Sequence, residues 1–289
     1  MHTILDKQPL GPDVWSYRFR VPDIAKNRSP GQFVILRIHE EGERIPVTIA
    51  DADPLAGTIT LIIQSVGKTT LQLSRMEVGD SIPDITGPLG MPTRIERRGT
   101  VLCVGGGIGV APLYPVARGM KEVGNRVVSI LGARSADLLI LVEEMRGVSD
   151  RVVITTDDGS AGMRGLVTDA IRMLAGEGES FDECVAMGPP IMMKFVSRLT
   201  AELDVPTIVS LNPVMVDGTG MCGCCRVTVD GETRFACVDG PEFDGHKVDF
   251  DELMTRLATY RSEERLALDH YMGETGCRLA SAVQGGGGR

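Results

Sequence analysis

Val101-Leu102-Cys103-Val104-Gly105-Gly106-Gly107-Ile108-Gly109-Val110-Ala111-Pro112 reads as a short apolar strand that breaks into glycines and continues as a helix. The apolar run suits a buried strand, and helical patterning extends from about Val110 to Glu122. Glycines at such a turn let the backbone approach a pyrophosphate, whose charge the helix N–H groups and dipole stabilise. A strict G-x-G-x-x-G starting at Gly105 fails, because Val110 holds the third position. Read as Gly107-x-Gly109-x-x-Pro112, the turn ends in a proline that fits the first turn of a helix. A tight strand-to-helix turn with no ligand is the competing explanation.

Beyond this turn the same rhythm repeats. Strands are expected at Val127–Leu131, Val152–Thr155, Cys184–Met187 and Thr207–Leu211, with helices near Leu166–Leu174 and Ile191–Leu203. Such alternation predicts a doubly wound parallel sheet over residues 98–211, a nucleotide-binding fold. Gly132-Ala133-Arg134-Ser135 follows the second strand, where an adenosine ribose would be read. An Arg there can pair with a 2′-phosphate, whereas an acid would favour the free hydroxyl, so Arg134 argues for NADP(H). A surface Arg without a ligand explains it equally well.

On the N-terminal side, residues 1–97 read as an antiparallel β-barrel. Val14 to Val21 alternates with period two, placing Trp15, Tyr17, Phe19 and Val21 on one face. Strand-like runs follow at Phe33–Ile38, Val47–Ala50 and Thr58–Gln64, separated by Pro, Gly and Asp. Two features of this domain suit a diphosphate. Arg44-Ile45-Pro46-Val47-Thr48 brings an Arg to the start of a strand, and Gly67-Lys68-Thr69-Thr70 opens a helix-compatible stretch. Each alone is equally explained by a surface ion pair or a polar turn.

Composition sets outer bounds. A net charge of −9 and a pI near 5.1 exclude a nucleic-acid or anionic-membrane surface. The N-terminus lacks the features of a signal peptide, and no run of about 18 apolar residues occurs, so a cytoplasmic protein is expected. Of seven cysteines, Cys222, Cys224, Cys225 and Cys237 crowd into residues 212–250, a cofactor spacing rather than a disulfide framework. Cys103, Cys184 and Cys277 read as buried small hydrophobes or incidental thiols. Asp217-x4-Cys222-x2-Cys225, followed by Cys237, has the spacing of a plant-type 2Fe-2S site with aspartate first. The alternative is that Asp217-Gly218 is only a turn and the four cysteines bind zinc or iron among themselves. Residues 251–289 complete the chain as a polar helix from Asp251 to about Tyr271 and a disordered tail over residues 284–289.

The order of these parts resembles the ferredoxin-NADP reductase superfamily. Arg44-x-Pro46-x-Thr48 is similar to its flavin motif, and Val47 stands where many relatives put an aromatic on the flavin face. Pro30-Gly31-Gln32-Phe33, Gly87-Pro88-Leu89-Gly90 and Gly188-Pro189-Pro190-Ile191-Met192 match further signposts of the family. The resemblance implies FAD on the barrel, with Arg44 on its phosphates and Thr48, the candidate catalytic residue, hydrogen-bonding near flavin N5. It implies a nicotinamide nucleotide on the sheet, NAD(H) rather than NADP(H), with Gly188 and Pro189 at its site.

The appended cysteines resemble two kinds of subunit. One is the dihydroorotate dehydrogenase electron-transfer subunit. The other is the small subunit of electron-bifurcating NADH-dependent ferredoxin:NADP oxidoreductases of the sulfide dehydrogenase type, known for a three-Cys, one-Asp cluster. These imply a larger flavin and iron–sulfur partner subunit, with ferredoxin reached through the complex. A relay subunit of another redox complex, such as a hydrogenase, is the reading in which the nucleotide site is vestigial.

Overall fold

A computed structural model describes the backbone of residues 1–284 and the side chains of residues 1–273. Of the tail expected at 284–289, Gln284 is the last residue of a helix, and residues 285–289 and the Cys277 side chain lie outside the described residues. The elements are, in order, β1 (His2–Gly11), β2 (Val14–Arg20), α1 (Pro22–Asn27), β3 (Phe33–Arg37), β4 (Ile45–Asp53), β5 (Thr58–Gln64), α2 (Lys68–Ser74), β6 (Ser81–Ile82) and β7 (Asp84–Leu89). There follow β8 (Thr100–Gly106), α3 (Val110–Glu122), β9 (Arg126–Ala133), α4 (Val142–Val148), β10 (Arg151–Thr156), β11 (Met163–Arg164), α5 (Val167–Gly176), β12 (Glu183–Met187), α6 (Pro190–Glu202) and β13 (Thr207–Ser210). The last part holds β14 (Arg226–Val229), β15 (Glu232–Phe235), β16 (Glu242–Asp244), α7 (Phe250–Leu257) and α8 (Arg261–Gln284).

The first seven strands form one antiparallel sheet in the order β6-β1-β2-β5-β4-β3-β7. Its two edge strands follow one another across Pro83, so the sheet curls into a nearly closed barrel. The alternation of β2 does what period two requires: Tyr17 and Phe19 are fully buried in the barrel core, with ring centroids 6.2 Å apart. Trp15 stays at the rim beneath the Lys7 ammonium, 4.5 Å from the ring centroid. β1 carries no such pattern. Most of its length pairs on one side only, which tolerates Asp6, Lys7 and Pro9 in the strand.

The second sheet runs β11-β10-β9-β8-β12-β13-β16, parallel except for β16, which pairs antiparallel with β13. β8 lies at the switch point, with β9 on one side and β12 on the other, so the crevice opens beyond their C-terminal ends. Gly107 to Gly109 make a single 3₁₀ turn there before α3 begins. Val14, Ala50 and Ile62 of the barrel join the buried cluster around α3 and β8, and Arg118 reaches Asp51 at 2.7 Å.

The expected polar helix after residue 250 is two helices. Asp249 caps α7 by accepting from the N–H groups of Asp251 and Glu252, and Phe250 and Leu253 are buried. The described side chains of α8 are exposed or half-buried, and the helix touches the barrel where Arg75 donates to the Tyr271 hydroxyl at 2.9 Å. Among the described residues no helix is long and apolar enough to cross a membrane.

The two glycine turns at the crevice interlock through backbone. A Cβ on Gly109 would overlap the Met187 carbonyl oxygen and lie 2.6 Å from Gly188 Cα. Gly107 instead has φ of +53° and open space around it. Gly109→Ala is therefore expected to cost about 3 kcal/mol or more, because backbone must move. Gly107→Ala should cost only about 1 kcal/mol, the left-handed backbone strain. Urea unfolding of the two variants would show equal losses if the interlock were not the cause.

Candidate functional site

A cleft of about 1010 Å³ occupies the crevice. Gly106, Gly107 and Ile108 line it from the first turn, and Gly188, Pro189 and Met192 from the second. Gly109 lies buried beneath, against Gly188. Arg134 and Asp157 line another part of the wall, brought together because the Asp157 N–H donates to the Ala133 carbonyl at 3.1 Å. Ser135 turns away: its hydroxyl donates to Asp137 at 2.5 Å and serves its own loop. The sequence reading missed Phe195 and Arg198, which also line the cleft, with the Arg198 guanidinium 5.7 Å from the Phe195 ring centroid. An exposed Phe on the otherwise amphipathic α6 was the available signal.

On the barrel, β4 sorts the flavin motif by its alternation. Ile45, Val47 and Ile49 pack against the barrel core, whereas Ala50 packs toward α3 on the opposite face. Pro46 and Thr48 share the face of Ala50 and are half-buried. Val47, half-buried, keeps an exposed part while its side chain reaches the barrel core. Arg44 is exposed just before β4. The neighbouring Glu43 accepts a hydrogen bond from the Thr69 hydroxyl, which ties the Arg44 loop to the start of α2. Thr70 accepts from the N–H groups of Val66 and Gly67, both at 3.0 Å, and shapes the turn. A Cβ at Gly67 would meet nothing, and the first-turn N–H groups of α2 have no partner within the helix. Gly67, Lys68, Thr69, Thr70 and Arg44 are thus brought to one edge of the barrel.

The cysteine loop wraps through Gly218, Gly220 and Gly223, all at positive φ. Asp217 accepts from the N–H groups of Thr219 at 2.9 Å and Cys222 at 2.8 Å. These bonds, that from Thr219 foremost, hold its carboxyl below the ordinary carboxylate range. Cys222 is exposed, and the Cys224 N–H lowers its thiol. Cys225 and Cys237 are buried with their sulfurs 3.1 Å apart, and burial followed by the Cys225 thiol pushes Cys237 up to about 12. None of the four is in a disulfide. Among the described residues no three His, Cys, Asp or Glu side chains converge on a single point. The donors come as an outer pair, Asp217 and Cys222, and an inner pair, Cys225 and Cys237. Two donors to each iron is what a two-iron cluster takes, so the donor set fits one.

Comparison with known proteins joins these parts. Residues 103–198 match the oxidoreductase NAD-binding domain, and residues 212–249 match the iron-sulfur cluster binding domain of dihydroorotate dehydrogenase B. The chain is 51% identical over 276 residues to the dihydroorotate dehydrogenase B (NAD(+)) electron transfer subunit homolog of Thermotoga maritima, covering 96% of this chain and 97% of that protein. It is 34% identical over 247 residues to the corresponding subunit of Desulforamulus reducens, covering 83% and 94%. The chain belongs to the dihydroorotate dehydrogenase B electron-transfer subunit family. It also superposes with a TM-score of 0.89 and 51% identity on a chain of the NADH-dependent reduced ferredoxin-NADP oxidoreductase, solved for insight into flavin-based electron bifurcation, covering 94% and 98%.

This flavin and iron–sulfur electron-transfer subunit has a further acidic group that its sequence did not announce. Glu242, at the start of β16, accepts from the Thr93 hydroxyl at 2.5 Å. Its partner lies 149 residues away in sequence, so no local pattern could have paired them.

The thiols differ enough in setting to be told apart chemically. Cys103 is fully buried and burial pushes it up to about 12; burial also raises Cys184. In the folded, iron-free electron-transfer subunit at neutral to mildly alkaline pH, iodoacetamide should label Cys222 first and spare Cys103 and Cys184 until unfolding. Mass mapping of the labelled peptides checks this, and early labelling of Cys103 would contradict it.

Proposed function

We propose that a nicotinamide nucleotide binds the crevice with its pyrophosphate on the Gly107–Gly109 turn and exchanges hydride with FAD held on the barrel. Electrons would leave one at a time through the cysteine loop to a larger partner subunit. The observation that carries this reading is a contact. Gly218 packs so closely on the barrel that a Cβ there would lie 2.7 Å from Leu89 and 3.0 Å from Ile35, and Ile35 is registered opposite Pro46 on β4. The proposed flavin face and the iron–sulfur loop are therefore supported by one strand pair, beside the crevice.

Bound FAD supplies the conversion between a hydride pair and single electrons, and a 2Fe-2S cluster carries single electrons. The chain's own residues hold and orient. Arg44 is the cation for the FAD diphosphate, and the start of α2, at Gly67, Lys68, Thr69 and Thr70, offers backbone N–H groups to it. Pro46 and Thr48 form the flavin face, where the Thr48 hydroxyl is the donor for N5. Gly188 and Pro189 close the crevice over the nucleotide. Asp217, Cys222, Cys225 and Cys237 hold the cluster, and Cys224 is the spare thiol. Each Asp217 oxygen already accepting one N–H retains a lone pair for iron.

NAD(H) is the nucleotide we favour over NADP(H). A 2′-phosphate drawn to Arg134 would also approach the Asp157 carboxylate on the same wall of the cleft, and Ser135 is committed to Asp137. The partner we infer is a larger flavin and iron–sulfur subunit of an electron-bifurcating NADH, ferredoxin and NADP oxidoreductase, working in the cytoplasm. Two observations favour this over service to a dihydroorotate dehydrogenase: an aspartate stands first among the cluster ligands, and the likeness to the NADH-dependent reduced ferredoxin-NADP oxidoreductase chain is high.

Two experiments test the reading. Anaerobic mixing of the flavin-loaded chain with each nucleotide should bleach the flavin with NADH at least about tenfold more effectively than with NADPH, a difference of roughly 1.4 kcal/mol. Bleaching by neither would sink the enzyme reading. Iron content and visible absorbance should collapse in Cys222→Ser, Cys225→Ser and Cys237→Ser, persist in Cys224→Ser, and fall or shift in Asp217→Ala. A full, spectrally unchanged cluster in Asp217→Ala would remove the aspartate from the ligand set.

A further inference from the structure

We propose that Arg256 of α7 is a positioning residue for the cluster: its guanidinium holds the cysteine loop in its ligating shape, and its uncompensated charge raises the reduction potential. Arg256 lies beyond the 212–249 segment that matches the iron-sulfur domain. Its Nη2 donates to the Cys224 carbonyl at 3.2 Å, between the proposed ligands Cys222 and Cys225. A second arginine, Arg226, donates through Nη1 to the neighbouring Gly223 carbonyl, also at 3.2 Å. Two guanidinium groups therefore frame one turn of the loop.

The placement of Arg256 is built into its helix. Phe250, Leu253 and Leu257 recur at helical spacing and pack into one core, with Phe250 and Leu253 buried and Leu257 half-buried. Arg256 stands one turn after Leu253, on the flank of that face. The start of α7 is stitched to β14, the strand that leaves Cys225. The Asp249 N–H donates to the Thr228 carbonyl at 2.9 Å, and the Asp230 N–H to the Lys247 carbonyl at 2.9 Å. Helix and loop are thus held in register.

The effect on the loop follows from the planarity of the peptide group. In a trans peptide the carbonyl and the following N–H point in opposite directions. A Gly223 carbonyl turned toward Arg226 turns the Cys224 N–H away from it, and that N–H falls on the Cys222 thiol. In the same way, a Cys224 carbonyl turned toward Arg256 turns the Cys225 N–H to the opposite side. The arginines take the carbonyls and leave the N–H groups facing away from them.

Neither arginine forms a salt bridge among the described residues. The nearby acids are engaged elsewhere: Asp251 with Lys194 at 2.5 Å, Glu232 with Arg234 at 2.6 Å and Asp230 with Lys247 at 3.4 Å. Asp249 caps α7. Arg256 is half-buried, and its Nε–H is buried with no partner among the described residues. An anionic group on the loop would supply an acceptor for it. A two-iron cluster gains one negative charge on reduction, so a cation that no carboxylate neutralises favours the reduced form. Its half-buried setting screens that interaction less than open solvent would.

This inference rests on the ligand set proposed above, and its test separates the two. The full chain, reconstituted with iron and sulfide, would be titrated with dithionite while visible absorbance and electron paramagnetic resonance are followed. Arg256→Gln and Arg256→Ala should shift the one-electron equilibrium about tenfold toward the oxidised cluster, a potential lower by about 59 mV, at unchanged iron content. Arg256→Lys, which keeps the charge, should stay near the wild type. Where Arg256→Ala loses iron, Arg256→Gln retains a donor for the carbonyl and still reads the charge. An unshifted potential in Arg256→Gln, or Arg256→Lys shifted as far as Arg256→Gln, would overturn the proposal. The hold on the loop is read in the iron-free chain, where amide hydrogen exchange over residues 222–226 should be about tenfold faster in Arg256→Ala. Equal exchange in the two would overturn it as well. A wild-type chain that takes up no iron would sink the ligand set itself, a different failure from a loaded cluster whose potential ignores Arg256.

Discussion

Backbone touches backbone where β8 and β12 end, and the absence of any Cβ at Gly109 and Gly188 is what allows it. The contact draws the ends of the two central strands together at the point where the sheet reverses its order. An alternative seat for either turn would move α3, which follows the first turn, or α6, which follows the second. Those two helices carry the rest of the organisation: α3 packs on the barrel, and α6 lines the cleft. A constraint on two glycines therefore reaches both the nucleotide crevice and the seat of the flavin domain.

How the barrel sits on the sheet is decided by apolar burial more than by charge. Arg118 and Arg28 both reach Asp51, at 2.7 and 3.4 Å, but the Asp51 side chain is 45% exposed. Such ion pairs contribute about 0–1 kcal/mol. Burying Val14 and Ile62 contributes roughly 1.5–3 kcal/mol each, by the usual value for a large aliphatic side chain. Of the two, only Arg118 crosses from α3 to the barrel, since Arg28 and Asp51 both belong to the barrel, and the aliphatic residues hold the interface. This is why the strand pair β3–β4 can serve as a fixed platform between the crevice and the cysteine loop.

What could be read from the sequence follows from the range of the interactions involved. The glycine turn and the alternating strands and helices were legible because backbone freedom and burial on both faces leave a local trace, at Gly107, Gly109 and the run from Val101 to Val104. The cysteine spacing was legible for the same reason. β1 was not, since its residues are strand-forming only because β2 pairs with them. The set Ile45, Val47 and Ile49, which packs on the barrel core, was already present in the alternation. Glu242 could not be found at all: its contacts come from Gly31 and Thr93, two distant residues that meet only once barrel and sheet have docked.

The cysteine loop shows how exposure is graded across one donor set. Cys225 and Cys237 are each 1% exposed, while Cys222 is exposed and Asp217 keeps its carboxylate at the surface side of the loop. A thiolate lost from the inner pair would leave a buried site that neither water nor a neighbouring side chain can easily refill. At the outer pair, Asp217 is already organised by two N–H donors that also stabilise its negative charge. A carboxylate is a harder and less covalent donor than a thiolate, so it belongs where preorganised hydrogen bonds hold it in place. In the proposed cluster the aspartate would therefore sit where a weaker hold on iron is compensated by the loop, and the buried thiols where no such compensation is needed.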